Sequence, residues 1–133
     1  MAGEVILTEN SKEKRPIGLL DSGLGGLSVF REIKRKLPQD NIVYFGDTAH
    51  APYGEKTNEQ ILNYVLSMIG FLVKKNVKLV IIACNTATAV ALEKVKDIYP
   101  VPIFGVIQPG ALEATARSKN NRIGIIGTEV TIR

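Results

Sequence analysis

Residues 78–88 read KLVIIACNTAT. The first half is a short apolar run rich in β-branched residues, far below the ~18 apolar residues of a membrane span, and it predicts a strand buried on both faces of a parallel sheet. The run ends at Cys84, the only cysteine of the chain. Asn85 and Thr86, residue types that cap helices, follow it. They lead into TATAVALEKVKDIY, where Ala87, Val90, Ala91, Val95 and Ile98 recur at the spacing of one helix face. Cys84 is thereby placed at a strand-to-helix corner. Free backbone N–H groups and the positive end of the helix dipole favour an anion there, either a thiolate or a bound carboxylate. A lone cysteine ending a strand also reads as a small core residue, so the rest of the chain has to decide.

On either side the strand–turn–helix pattern repeats. Residues 16–21, PIGLLD, are an apolar run ending in the carboxylate of Asp21. The glycine-rich SGLGG follows, then a helix through Leu27, Phe30, Ile33 and Leu37 that Pro38 stops. Residues 41–47, NIVYFGD, predict a second buried strand ending in Asp47, and TAHAPYGEK an irregular loop. Thr57 and Gln60 have capping-box spacing before a long helix with apolar residues at Ile61, Val65, Met68, Ile69 and Leu72. Beyond the Cys84 helix, residues 101–106 predict a fourth strand, IQPG a turn, and residues 111–118 a short helix with Pro109 near its start. Residues 122–127, RIGIIG, predict a fifth strand, and TEVTIR the first turn of another helix.

Strands alternating with helices at this spacing predict an α/β fold, a parallel sheet with helices on both faces and right-handed crossovers. Ligands bind such sheets outside the carboxyl ends of the strands. Asp21 and Ser22, Asp47, the Pro52–Gly54 loop, Cys84 to Thr86, Gln108 and Thr128 all fall on that edge. IGLLDS at 17–22 echoes IGIIGT at 123–128, as if a second, similar domain were opening. The expected division is a polar N-terminal extension over 1–15, a first α/β domain over 16–118, and the first strand of a second domain over 119–133.

Composition narrows the function classes. Hydrophobic residues make up 45% of the 133 and charged residues 23%, the balance of a folded globular protein. The net charge of +4 is spread over helices beside acidic residues, which gives no case for nucleic acid and is compatible with an anionic substrate. One cysteine leaves no internal disulfide and suits a reducing cytoplasm. The N-terminus lacks the pattern of a signal peptide, and no run is long enough to enter a membrane.

DSGLGG, PYG and ACNTAT, in this order and at the right strand ends, closely resemble the glutamate racemases of the aspartate/glutamate racemase family. The resemblance runs over residues 16–133 and takes in GVIQPGA and IGT. It implies two similar α/β domains with the site between them. It also implies an enzyme without cofactor or metal that interconverts L- and D-glutamate and supplies D-glutamate for peptidoglycan. The family's second catalytic cysteine, in a GCTH motif of the second domain, has no counterpart here, so the sequence resembles an N-terminal half that is inactive alone. By the same resemblance Cys84 is one of two bases, and Asp21 holds the substrate ammonium or helps to take a proton from the thiol. Ser22, Asn85 and Thr86 hold substrate, and Tyr53 and Gly54 wall the pocket. The small-molecule substrate is the only partner implied, with a homodimer left open.

That chemistry suits the residue types. Racemising a free amino acid moves the α-proton from one face to the other, and two bases on opposite faces achieve this directly. A thiolate serves if its pKa is brought toward the working pH, as a helix N-terminus does in part. Asp47 and His50 are expected outside the site, Asp47 in a turn and His50 in solvent. A dinucleotide fingerprint in Gly23-x-Gly25-x-x-Ser28 is disfavoured, because Asp21 would set a carboxylate against the pyrophosphate. The remaining rival is a non-catalytic α/β domain that binds an acidic ligand.

Overall fold

The computed structural model describes residues 14–133; the expected extension over 1–15 lies almost wholly outside that range. Four parallel strands, β1 (Ile17–Asp21), β2 (Ile42–Gly46), β3 (Leu79–Ile82) and β4 (Ile103–Gly105), form one sheet in the order β2-β1-β3-β4. They alternate with α1 (Leu27–Lys36), α2 (Asn58–Lys74), α3 (Asn85–Val95) and α4 (Ile107–Arg117), and a short α5 (Glu129–Ile132) closes the chain. From β1 the chain steps outward to β2, whereas from β3 it steps the opposite way to β4. Right-handed crossovers therefore set α1 on one face and α2 with α3 on the other.

The core lies on the α2/α3 side. Leu20, Val80 and Ile82 from the central strands pack with Ile61, Val65, Met68, Ile69 and Leu72 of α2 and Ala87, Val90, Ala91 and Val95 of α3. Each of those α2 and α3 positions is one that helical spacing predicts. The capping box of α2 is present in full: Thr57 accepts from the Gln60 amide and the Gln60 side chain accepts from the Thr57 amide.

Several expectations fail for reasons of position. Of the strands only β1, the central one next to β3, is buried at every residue. β2 is an edge strand and half-buried throughout, and β3 alternates, with Leu79 and Ile81 half-buried. The face toward α1 is thinly covered, because no residue of that helix is itself buried and Leu27 and Leu37 are exposed. Ile98 also lies exposed, since α3 ends before the helical spacing reaches it. IQPG is no separate turn: α4 begins at Ile107 and takes Pro109 into its first turn, where a missing N–H costs nothing. Residues 122–127 form no strand. They find no ladder partner among the described residues, and Ile125 and Ile126 stand in solvent. The helical turn expected at the end is α5, which packs against α3.

Candidate active site

The direction of connection reverses between β1 and β3, so the carboxyl ends of these two strands border the crevice in which doubly wound sheets bind ligands. β1 ends in Asp21. Past the end of β3, the Ala83 amide donates to the Leu20 carbonyl at 2.8 Å and Cys84 follows. The two groups that the sequence marks most strongly thus come from the two sides of the switch point.

Cys84 is itself the N-cap of α3: it is extended, and its Sγ accepts from the Ala87 amide at 3.4 Å. Asn85 and Thr86, expected as caps, are instead the first two residues of the helix. The thiol is buried, at 9% exposure, against the α2/α3 core. A thiolate here would face the Ala87 amide and the positive end of an eleven-residue helix.

Asp21 is also buried, and its Oδ2 accepts from the Gly23 amide at 2.9 Å, which folds the chain into a tight turn through Ser22. Gly26, where α1 begins, presses on this turn: a Cβ there would lie 2.8 Å from the Asp21 Cβ and 3.0 Å from that of Ala83. Gly46 supports it from β2, since a Cβ at that position would lie 2.4 Å from the Gly23 carbonyl oxygen. Ser22 is half-buried at the rim.

Tyr53 lies in a single helical turn, Tyr53–Glu55, after a cis Ala51–Pro52 bond. Its ring is 2% exposed and its hydroxyl donates to Asp47 Oδ2 at 2.7 Å. The side chain is therefore committed to the interior, and what this loop can offer an open pocket is backbone and the exposed Gly54. Asn85 is exposed, with its side chain free to turn toward a ligand. Thr86 is buried. Its hydroxyl lies 3.0 Å from that of Thr128 and 3.1 Å from that of Thr131, which are 2.8 Å from each other. Thr128 further lies against Gly54, where a Cβ would meet its methyl at 2.9 Å.

Two residues set aside on sequence prove to be structural members of this edge. Asp47 does make the expected turn, accepting from the His50 amide at 3.3 Å. Its carboxylate is also buried, and it receives His50 Nδ1 at 2.7 and 2.9 Å besides the Tyr53 hydroxyl. His50 is not simply solvated: its ring stacks on Tyr64 with centroids 4.0 Å apart. The clue in the sequence was the His-x-x-Tyr spacing after a strand-ending acid, which becomes legible only once the loop is known to fold back on itself.

The electrostatics tie both halves to the thiol. Burial pushes the Tyr44 phenol up to about 12, and the Asp21 charge, a hydrogen bond to Asp21 and the Cys84 charge add to the shift. Burial likewise raises Tyr53, helped by its hydrogen bond to Asp47, the charge of Asp47 and that of Cys84. Tyr44 on one side and Tyr53 on the other thus lie within electrostatic reach of one sulfur. Among the described residues no group of three or more His, Cys, Asp and Glu could hold a metal ion, and no helix is long and apolar enough to cross a membrane.

Comparison with known proteins adds three findings. A family model for Asp/Glu/hydantoin racemase matches residues 17–133. A glutamate racemase of Lactococcus lactis subsp. cremoris is 54% identical over 121 residues, which are 91% of this chain and 45% of that protein. Among solved structures, the glutamate racemase of Aquifex pyrophilus superposes with a TM-score of 0.85 at 48% identity, over 88% of this chain and 46% of that one. That of Francisella tularensis in complex with D-glutamate does so with a TM-score of 0.79 at 39% identity, over 90% and 44%. The chain therefore spans about half the length of the relatives it matches.

Proposed function

The chain belongs to the Asp/Glu/hydantoin racemase family, and from that premise we propose that it forms one of the two proton-transferring halves of a glutamate racemase that works without a cofactor. The observation that carries this reading is Cys84: a thiol capping a helix at the sheet's switch point, with the Asp21 carboxylate at the adjoining strand end. A share of about half of each relative's length is what one of two similar domains would occupy.

In the proposed reaction the Cys84 thiolate removes the α-proton of glutamate from one face. The S–H bond forms as the C–H bond breaks, and the electron pair passes to the α-carbon and its carboxylate. A proton delivered to the opposite face completes inversion. These residues contain one cysteine, so a group from outside this sequence supplies the opposite face if that group is also a thiol. Asp21 would accept a hydrogen bond from the substrate ammonium or receive the thiol proton. Ser22, the backbone at Gly54 and the exposed Asn85 line the rim where carboxylates would rest. Thr86 faces the same edge but shares its hydroxyl with Thr128 and Thr131, so it would bind substrate only by exchanging one of these partners. Water must be kept from the carbanion, and the burial of Cys84 would help to exclude it on the face that this residue serves.

The test is α-proton exchange of L- and D-glutamate in deuterated water, followed by NMR with optical rotation on the same samples. The 133-residue chain is expected to exchange one enantiomer without inverting it. Exchange with inversion would show that the chain supplies or assembles both bases. Binding of glutamate with no exchange would favour a non-catalytic domain for an acidic ligand and overturn the proposal.

A further inference from the structure

We propose that Tyr44 is a positioning residue whose hydroxyl clamps the Asp21–Gly23 turn and so holds the Asp21 carboxylate and Ser22 at the strand end adjoining that of Cys84. Its consequence for substrate rests on the racemase reading above; the clamp itself does not.

Tyr44 lies on β2, paired in register with Leu19, and thus on the sheet face that also carries Asp21, two residues further along β1. Its hydroxyl donates to the Gly23 carbonyl at 2.8 Å and lies 3.5 Å from Asp21 Oδ2, the oxygen that accepts the Gly23 amide. One phenol therefore touches both ends of the turn. The Gly23 carbonyl is held between that hydroxyl and the bare Cα of Gly46, where a side chain would collide with it. The phenol is in turn held against Phe30 of α1, ring edge to face at 86°. This side of the sheet needs such a device. α1 contributes no buried residue of its own, so packing alone does not fix the turn, and the fixing falls to hydrogen bonds. The phenol also keeps its proton across the physiological range, being raised to about 12 chiefly by burial, and so remains a donor there.

Tyr44→Phe removes the hydroxyl and keeps the ring against Phe30. Tyr99→Phe is the matched control: its hydroxyl also donates to a backbone carbonyl, that of Leu66 at 3.0 Å, but far from the site. Amide hydrogen exchange of Gly23, whose amide donates to Asp21 Oδ2, measured by NMR on the 133-residue chain without ligand, is expected to quicken about five- to tenfold in Tyr44→Phe, as loss of one hydrogen bond implies. Tyr99→Phe should leave that amide unchanged. In the deuterium assay Tyr44→Phe should lower the turnover of glutamate α-proton exchange about tenfold, with a smaller change in half-saturating glutamate. An unchanged Gly23 amide in Tyr44→Phe, or equal quickening in Tyr99→Phe, would overturn the clamp. A wild-type chain that exchanges no α-proton would count against the racemase reading, and the Gly23 amide would still decide on Tyr44.

Discussion

Tyr53→Phe deletes one oxygen and tests how the loop beside Cys84 is held. In the native chain the Asp47 carboxylate, 7% exposed, receives the Tyr53 hydroxyl at 2.7 Å and His50 Nδ1 at 2.7 and 2.9 Å. Without the hydroxyl, a buried charged acceptor keeps only the histidine. A hydrogen bond to a charged group contributes about 1.5–3 kcal/mol, against about 0.5–1.5 for a neutral pair such as Tyr99 with the Leu66 carbonyl. For a domain of this size 1 kcal/mol moves the melting temperature by about 4 °C. Tyr53→Phe should therefore melt about 6–12 °C below wild type at pH 7, and Tyr99→Phe about 2–6 °C below. Calorimetry or urea denaturation checks both. The alkaline limb adds a second test. Burial and Asp47 raise the folded-state pKa of Tyr53 above its usual 10, so above pH 10 the unfolded chain releases a proton that the folded chain keeps. The stabilisation is complete below pH 10 and is lost as pH rises through the folded value, so the gap between wild type and Tyr53→Phe should narrow there. A pH 7 gap no larger than that of Tyr99→Phe, or a gap that widens above pH 10, would refute the reasoning.

Three further outcomes are expected. Cys84→Ala should abolish α-proton exchange while costing about 0.5–2 kcal/mol, the loss of one helix cap; retained exchange in the deuterium assay would remove Cys84 from the mechanism. Gly46→Ala sets a methyl 2.4 Å from a backbone oxygen that cannot swing aside, and should cost about 1–3 kcal/mol in urea denaturation and shift the Ser22 and Gly23 NMR signals; unshifted signals would mean that β2 does not support the turn. Thr128→Val breaks one of the two hydroxyl contacts that join α5 to the start of α3, together with the contact between Thr128 and Thr131, and should speed iodoacetamide alkylation of Cys84 several-fold, whereas an unchanged rate would show that α5 does not cover the thiol.

The sequence was most legible where one local rule sufficed. The α2 stripe from Ile61 to Leu72 and its capping box follow from helical spacing and two side chains, and Cys84 at a strand-to-helix corner follows from the change of period there. It was least legible where a neighbour decides. Whether NIVYFGD is buried depends on its place in the sheet, and β2 proves to be an edge. RIGIIG has the pattern of a strand but joins no ladder among the described residues, so its isoleucines are exposed. Tyr53 and His50 sit in a loop without period, and only the fold of that loop onto Asp47 gives them their roles. The choice of Cys84 rather than Asn85 as cap lay in a dihedral angle, which residue type does not encode.

The two sides of the candidate site are held by different means, and the difference follows from the sheet. Cys84 belongs to the side packed by α2 and α3, where buried apolar residues fix its backbone and one long amide contact completes its geometry. That contact is weak enough to leave the sulfur available. Asp21 belongs to the side covered by α1, and its position rests on short polar contacts and on glycines that let backbones approach: Gly23 N, the Tyr44 hydroxyl, Gly26 and Gly46. A base buried by packing and a carboxylate oriented by hydrogen bonds respond to different perturbations. Core substitutions should unfold the Cys84 side before they misplace it, whereas single-atom changes around Asp21 should misplace that group in a chain that remains folded. If this chain is one half of a racemase, the Asp21 turn is the place where activity can be lost without loss of the fold.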